Sequence, residues 1–277
     1  MSEIHISNTE TTPGESRWLP EWNGELYAAN TGHHRVFDAW FLERLPVRPA
    51  DRVLDIGCGS GDFTSIVAEL VPDGEVVGLD PWPSMLDEAR RNARANQSFV
   101  LGAAQDLRAL LAGVAPFDGV MSRAAMHWIP LADHPNVHAG AFSVLRDGGW
   151  YRIEMGGAGN IAAIAAFLSE VSTRHRGPAS PWTFLDAGQA LDLLEAAGFS
   201  VAPGDVRTVA QRRGFTRDEL LGWFRSQTFQ AFAPGMSSAD HQAFRAEVED
   251  RVDELKRADG TYGQTWVRLD ALVRKLS

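Results

Sequence analysis

The segment that most constrains the fold is residues 52–70. A short apolar run, Arg52–Ile56, leads straight into Gly57-Cys58-Gly59-Ser60-Gly61, and a second apolar segment, Asp62–Leu70, follows. Glycines at this spacing permit positive φ and let a ligand approach the backbone closely. The run reads as a buried strand, a tight turn and a helix. In an open α/β sheet such a turn, at the carboxyl end of its strand, faces the ligand crevice.

Downstream, strand-like and helix-like segments alternate. Residues 75–79, 99–102, 117–122 and 149–155 read as strands; 85–95, 107–111 and 136–144 read as helices. Such alternation predicts a parallel sheet covered by helices on both faces. Upstream, Val36, Phe37, Trp40, Phe41 and Leu45 recur at helical spacing until Pro46 and Pro49 stop the helix. The second half is more helical. Asp186 with Gln189 makes an N-terminal capping box ahead of Ala190, Leu193, Leu194 and Ala197, and Gly198 closes that helix. Thr216 and Glu219 make a second box, and residues 239–257 carry Phe244, Val248, Val252 and Leu255 on one face. Residues 264–272 alternate in polarity and read as a closing strand. Gly156-Gly157-Ala158-Gly159 fits either a site lining or a plain turn.

Composition removes several function classes. A chain of 277 residues fits one large domain or one domain with an insertion. No apolar run reaches the roughly 18–20 residues that span a bilayer, and residues 1–15 lack the pattern of a signal peptide, so a cytoplasmic protein with no membrane partner is expected. Cys58 is the single cysteine, which excludes an intramolecular disulfide and a multi-cysteine metal site. A net charge of −10 opposes binding to a phosphate backbone, and Arg90-Arg91 and Arg212-Arg213 read as solvated surface, so no nucleic-acid partner is expected. Residues 1–25 fit either disorder or packing on a second copy in a homo-oligomer.

Two nucleotide classes compete for the glycine loop. A dinucleotide fingerprint wants G-x-G-x-x-G, but here the third glycine comes one place early, at Gly61, and Asp62 takes its place. Asp55 and Asp62 flank the loop. Carboxylates are poor neighbours for pyrophosphate and good ones for the ammonium and sulfonium of S-adenosylmethionine (SAM). Asp80, about 20 residues past the loop, stands where a carboxylate accepts both hydroxyls of a ribose; the other reading is a turn or helix-capping residue, and the loop upstream favours ribose. Gln105 and Asp106, after the third strand, fit either an adenine edge or a helix cap. The stretch from Phe117 to Trp128 ends beside the reactive end of such a cofactor, and it contains no Asn-Pro-Pro-Tyr or Asp-Pro-Pro-Tyr run. His127 is a candidate general base or a packing histidine. Trp128, together with Trp40, Trp182 and Trp223 among nine tryptophans, fits either an apolar pocket or ordinary core.

Taken together, the loop at 53–62, Gly78-Leu79-Asp80 and Leu145-Arg146-Asp147-Gly148-Gly149 resemble the class I SAM-dependent methyltransferases of the small-molecule branch. Leu26-Tyr27 with Thr31 and His33-His34-Arg35, Met126-His127-Trp128, and Asp259-Gly260-Thr261-Tyr262-Gly263 with Arg268-Leu269 resemble the trans-aconitate methyltransferase group. The resemblance implies an α/β, Rossmann-like sheet of seven strands, mostly parallel, with an antiparallel last hairpin and a helical lid. It implies an N-terminal segment, 1–45, closing over the cofactor, a SAM-binding core at 46–157, and remaining core strands plus lid at 158–277. The cofactor set it implies is Asp55, Gly57, Cys58, Gly59 and Gly61 in the loop, Asp80, Pro81 and Met85 at ribose and adenine, Ala104, Gln105 and Asp106 at the adenine edge, and Ser122. Tyr27 would close the site. This chain departs from the pattern at Ala103, where the family often has an acid, and at His33-His34 and Val36, where the named group carries Glu-Arg and a second Arg.

Methyl transfer from a sulfonium is an SN2 displacement, in which the protein mainly aligns the reactants and excludes water. A base is needed only for a protonated nucleophile, and His127, His33, His34 and Tyr27 are the candidates. Tyr27, His34, His127, Trp128 and Trp182 are the expected substrate contacts, with no metal. The leading expectation is O- or C-methylation of a small molecule in secondary metabolism, with S-adenosylhomocysteine (SAH) as the other product. The alternatives are a SAM-binding fold that catalyses a non-methyl reaction such as cyclisation, and a non-catalytic SAM-binding module.

Overall fold

The structure, a computed structural model, describes residues 22–29 and 37–276. His33 and His34 lie outside the described residues. In chain order the elements are α1 (Gly24–Ala29), α2 (Asp38–Glu43), β1 (Arg52–Ile56), α3 (Asp62–Leu70), β2 (Glu75–Asp80), α4 (Pro83–Arg91), β3 (Gln97–Leu101), α5 (Leu107–Leu110) and β4 (Phe117–Arg123). Then come α6 (His134–Val144), β5 (Leu145–Gly156), α7 (Ala162–Arg174), α8 (Ala187–Ala196), β6 (Val206–Arg213), α9 (Arg217–Trp223), α10 (Ser238–Arg251) and β7 (Gln264–Arg274).

The seven strands form one sheet in the order β3-β2-β1-β4-β5-β7-β6. Every pairing is parallel except those of β7, which runs antiparallel to β5 and to β6. This is the seven-stranded, mostly parallel sheet with an antiparallel last hairpin that the family resemblance implies, and its parallel part is what the alternation predicts. The strand order reverses between β1 and β4, so the crevice of an open sheet opens at the carboxyl ends of those two strands. β1 and β2 are buried along almost their whole length because helices cover both faces. One core packs α6 and α8 against the sheet and the other packs α2 and α3; a third cluster, rich in Phe and Trp, fills the helical part between β5 and β7.

Both capping boxes form, at Asp186–Gln189 and at Thr216–Glu219. The helix expected over 85–95 starts earlier, at Pro83, because proline fits the first helical turn, and stops at Arg91. Strand β6 has no apolar run to announce it, since its residues alternate between half-buried and exposed at the sheet edge. Helix α7 opens on Ile161, which holds φ at 46° with no capping side chain, so no sequence signature marks its start.

One buried ion cluster fastens the C-terminal hairpin to the core. Asp270 of β7, fully buried, is paired with Arg44 just after α2, Arg152 of β5 and Arg207 of β6. The Arg152 guanidinium lies 4.5 Å from the centre of the Phe41 ring. Among the described residues, no helix is long and apolar enough to cross a membrane.

Candidate functional site

Strand β1 ends in a turn that is tied to the end of β2. The backbone N–H groups of Gly57 and Cys58 both donate to Leu79 O, at 2.7 and 3.1 Å. Gly57 holds φ at 74°, and a Cβ there would collide with Ala125. A side chain is therefore excluded both by backbone conformation and by the segment that follows β4. The Gly59 N–H donates to Asp80 Oδ2 at 3.0 Å, and the Trp82 N–H donates to Asp80 Oδ1 at 3.0 Å. Both oxygens of Asp80 are thus fixed by backbone donors, and each keeps a lone pair for a ligand. Burial pushes the Asp80 pKa up to about 6, against the pull of those two N–H groups.

A cleft enclosing about 910 Å³, open mouth included, lies over this junction. Ile56, Gly57, Gly59, Leu79 and Asp80 form its floor. Pro81, Trp82, Met85, Ala103, Ala104 and Gln105 form one wall; Ala124, Ala125, Trp128, Ile129 and Pro130 form the other. Trp22 and Tyr27 close over it from the N-terminal side. Ala124 holds φ at 54°, an uncommon conformation for a residue with a Cβ, at the point where β4 runs out into the cleft. Among the described lining residues Asp80 alone carries a charge, and none is cationic. The chemistry suits a ligand with an apolar ring, a diol for Asp80 and a net positive end.

Of the residues expected from the sequence, Gly57, Gly59, Asp80, Pro81, Met85, Ala104, Gln105, Tyr27 and Trp128 line the cleft. The others turn elsewhere. Asp55 is buried behind the loop, where its Oδ2 accepts the Thr64 hydroxyl at 2.7 Å; burial raises its pKa to about 6. The Cys58 sulfur packs beneath Gly78, and burial holds its thiol well above the usual pKa, so it is no nucleophile at neutral pH. Gly61 begins α3 and faces Ala89. Asp106 is exposed ahead of α5. The Ser122 hydroxyl donates to Ile56 O at 2.9 Å, stitching β4 to β1.

The two described candidates for a general base are both uncharged, and the unprotonated nitrogen of His127 is already engaged. His127 is buried beside the cleft but does not line it; its Nδ1 accepts the Gly156 N–H at 3.3 Å. Burial first, then Arg268 and His134, push its pKa well below 6.5. The ring is neutral, with its proton on Nε2, so it is a donor rather than a base. Burial also raises the Tyr27 phenol well above its ordinary pKa and keeps it protonated. Trp182 does not line the cleft either; it stacks on Phe184 at 5.7 Å and lies 5.9 Å from Trp128. Trp40 and Trp223 belong to the packed interior, Trp40 beside the guanidinium groups of Arg152 and Arg207 and Trp223 beside Phe215 and Trp266.

Four lining residues carry no signal of their own in the sequence, Trp22, Trp82, Ile129 and Pro130; Ala124 and Ala125 belong to the stretch from Phe117 to Trp128 expected beside the reactive end. The carboxyl-end rule for parallel strands, applied one or two residues past β2 and β4, reaches Trp82, Ala124 and Ala125. Trp22 lies about thirty residues ahead of β1, and only the chain's path brings it to the cleft.

Comparison with known proteins gives the following likenesses. Residues 53–149 match the methyltransferase domain family. A trans-aconitate 2-methyltransferase of Methylobacterium radiotolerans is 26% identical over 94% of this chain and 100% of its own length. An uncharacterized methyltransferase of Schizosaccharomyces pombe is 30% identical over 77% of this chain and 85% of its own. A phosphoethanolamine N-methyltransferase of Haemonchus contortus, solved with SAM, matches the fold with a TM-score of 0.57 and 20% identity, over 92% of this chain and 57% of that one.

Proposed function

The chain belongs to the class I SAM-dependent methyltransferases, and on that premise we propose that it methylates an oxygen or carbon of a small, largely apolar acceptor entering beside Trp128. The observation that carries this reading is the composition of the cleft wall after β4: Ala124, Ala125, Trp128, Ile129 and Pro130, with no cation among the described lining residues.

The residues present fit the cofactor. Gly57 and Gly59 leave the floor open to a ligand backbone, Asp80 offers two fixed oxygens to a ribose diol, and Met85 with Trp82 offers an apolar bed for adenine. When bound, SAM supplies an electrophilic methyl group on a sulfonium. Trp22 and Tyr27 cover the cleft and keep water from the reacting atoms. Trp128 spans the cleft and the helical part, packing on Trp22 at 5.1 Å and on Trp182 at 5.9 Å, and so sets the acceptor's approach. The helices between β5 and β7 act as the lid. His127 and Tyr27 offer no free basic atom, so the acceptor enters as its anion, a phenolate or enolate whose proton is left in bulk water before the cleft closes; His127 holds the start of the lid connection through Gly156.

A second reading, methylation of a carboxylate such as trans-aconitate, is favoured by the full-length likeness to enzymes of that name. It asks for cations at the acceptor, whereas Arg123 and Arg268 are each engaged by an acid, Asp38 and Glu154. Release of SAH from SAM, measured with trans-aconitate and with a panel of phenols, alcohols and enols, separates the two. Turnover with an apolar hydroxyl or enol and none with trans-aconitate is expected; efficient turnover of trans-aconitate alone would sink the first reading and establish the second.

A further inference from the structure

Trp22 is buried at the roof of the cleft, and its indole Nε1 has no hydrogen-bond partner. Among the described residues lining the cleft, it is the one side-chain donor that is both buried and unpaired. Leaving such a donor unpaired is costly, so an unpaired N–H at a ligand cleft points to a ligand acceptor. The indole is held firmly: its ring meets Trp128 edge-on at 5.1 Å and Tyr27 at 5.6 Å. The Trp22 carbonyl accepts the Ser84 hydroxyl, and Gly24 lies so close to the Ser84 carbonyl that a Cβ there would collide with it. Segment 22–27 is thereby docked on the start of α4.

We propose that the Trp22 Nε1–H donates to the α-carboxylate of the cofactor. SAM carries one anionic group, that carboxylate, and the described lining offers it no cation. Arg123, at the end of β4, is engaged by Asp38 at 2.5 Å. Among the described residues the donors left for the carboxylate are neutral, and the Trp22 ring packs on Tyr27, whose Cε1 would lie 3.6 Å from a Cβ on Gly59. A hydrogen bond to a charged acceptor is worth about tenfold or more in affinity.

The test is calorimetric titration of the wild-type protein and of Trp22→Phe with SAH and with decarboxylated SAH, which keeps the amine and lacks the carboxylate. No acceptor is involved, so the outcome is independent of what the enzyme methylates. The expected result is a loss of about tenfold in SAH affinity for Trp22→Phe, with the decarboxylated analogue unchanged. Equal losses for both ligands would make Trp22 a packing residue and overturn the proposal, as would no loss. Should Trp22→Phe fail to fold, the wild-type protein decides. One of its nine indole N–H resonances should shift downfield and exchange more slowly with SAH but not with the decarboxylated analogue; no such resonance would overturn it equally.

Discussion

Asp80 Oδ2 accepts the Gly59 N–H at 3.0 Å, so a single carboxylate at the end of β2 fixes the turn at the end of β1. The same group is the diol acceptor of the cleft. Its pKa of about 6, raised by burial from 3.8, makes both tasks sensitive to pH. SAH affinity is expected to be full above about pH 6 and to fall as the carboxyl protonates below it. Asp80→Ala should weaken SAH roughly ten- to hundredfold at neutral pH. Stability without ligand runs the other way. Asp55 and Asp80 both have folded pKa values of about 6 against an unfolded value near 3.8. Between those limits the folded state holds protons that the unfolded state releases, so this contribution is present at low pH and is lost as pH rises through about 6. The rise in Tm produced by SAH, followed from pH 7 to pH 5, should therefore shrink; a constant shift would contradict the role of Asp80.

The acceptor role of His127 Nδ1 leads to a second expectation. A ring that is neutral throughout the physiological range gives no limb to the pH–rate profile. His127→Asn, whose amide oxygen can still accept from Gly156, should keep SAH affinity and most turnover. His127→Phe leaves the Gly156 N–H unpaired and should cost about 1–3 kcal/mol of stability. A limb in kcat between about pH 6 and 7 that disappears in His127→Asn would instead make the histidine a base.

The Asp270 cluster gives a stability test remote from the cleft. Asp270→Leu strips the counter-charge from the fully buried Arg152 and should cost about 3–5 kcal/mol. Arg152→Met combined with Asp270→Leu replaces the pair by apolar groups and should recover a large part of that loss. Urea unfolding of both variants checks the ordering; a single variant as stable as the wild type would show that the arginines need no acid there.

How much was legible depended on how local each signal was. The glycine loop, Asp80 and both capping boxes are written in residues close together in sequence, and they fall where the spacing places them. The alternation located five parallel strands, and the polarity of residues 264–272 located β7. Strand β6 stayed hidden because an edge strand with one solvated face carries no apolar run. Asp55, Ser122 and His127 stand near the ends of β1 and β4, but their side chains satisfy buried backbone or hydroxyl partners instead of facing the cleft. Spacing says which residue stands at a strand end, not which way its side chain turns. Trp22 and the Asp270 cluster depend on tertiary contacts between distant segments, which no local pattern encodes.

The most direct test of methyl transfer uses SAM carrying a deuterated methyl group, incubated with the protein and the acceptor panel and followed by mass spectrometry. SAH should form in step with one small molecule that has gained the labelled methyl, and both should disappear with Asp80→Ala. Tight SAH binding with no labelled molecule from any acceptor, trans-aconitate included, would contradict catalysis of methyl transfer and leave a cleft that only binds.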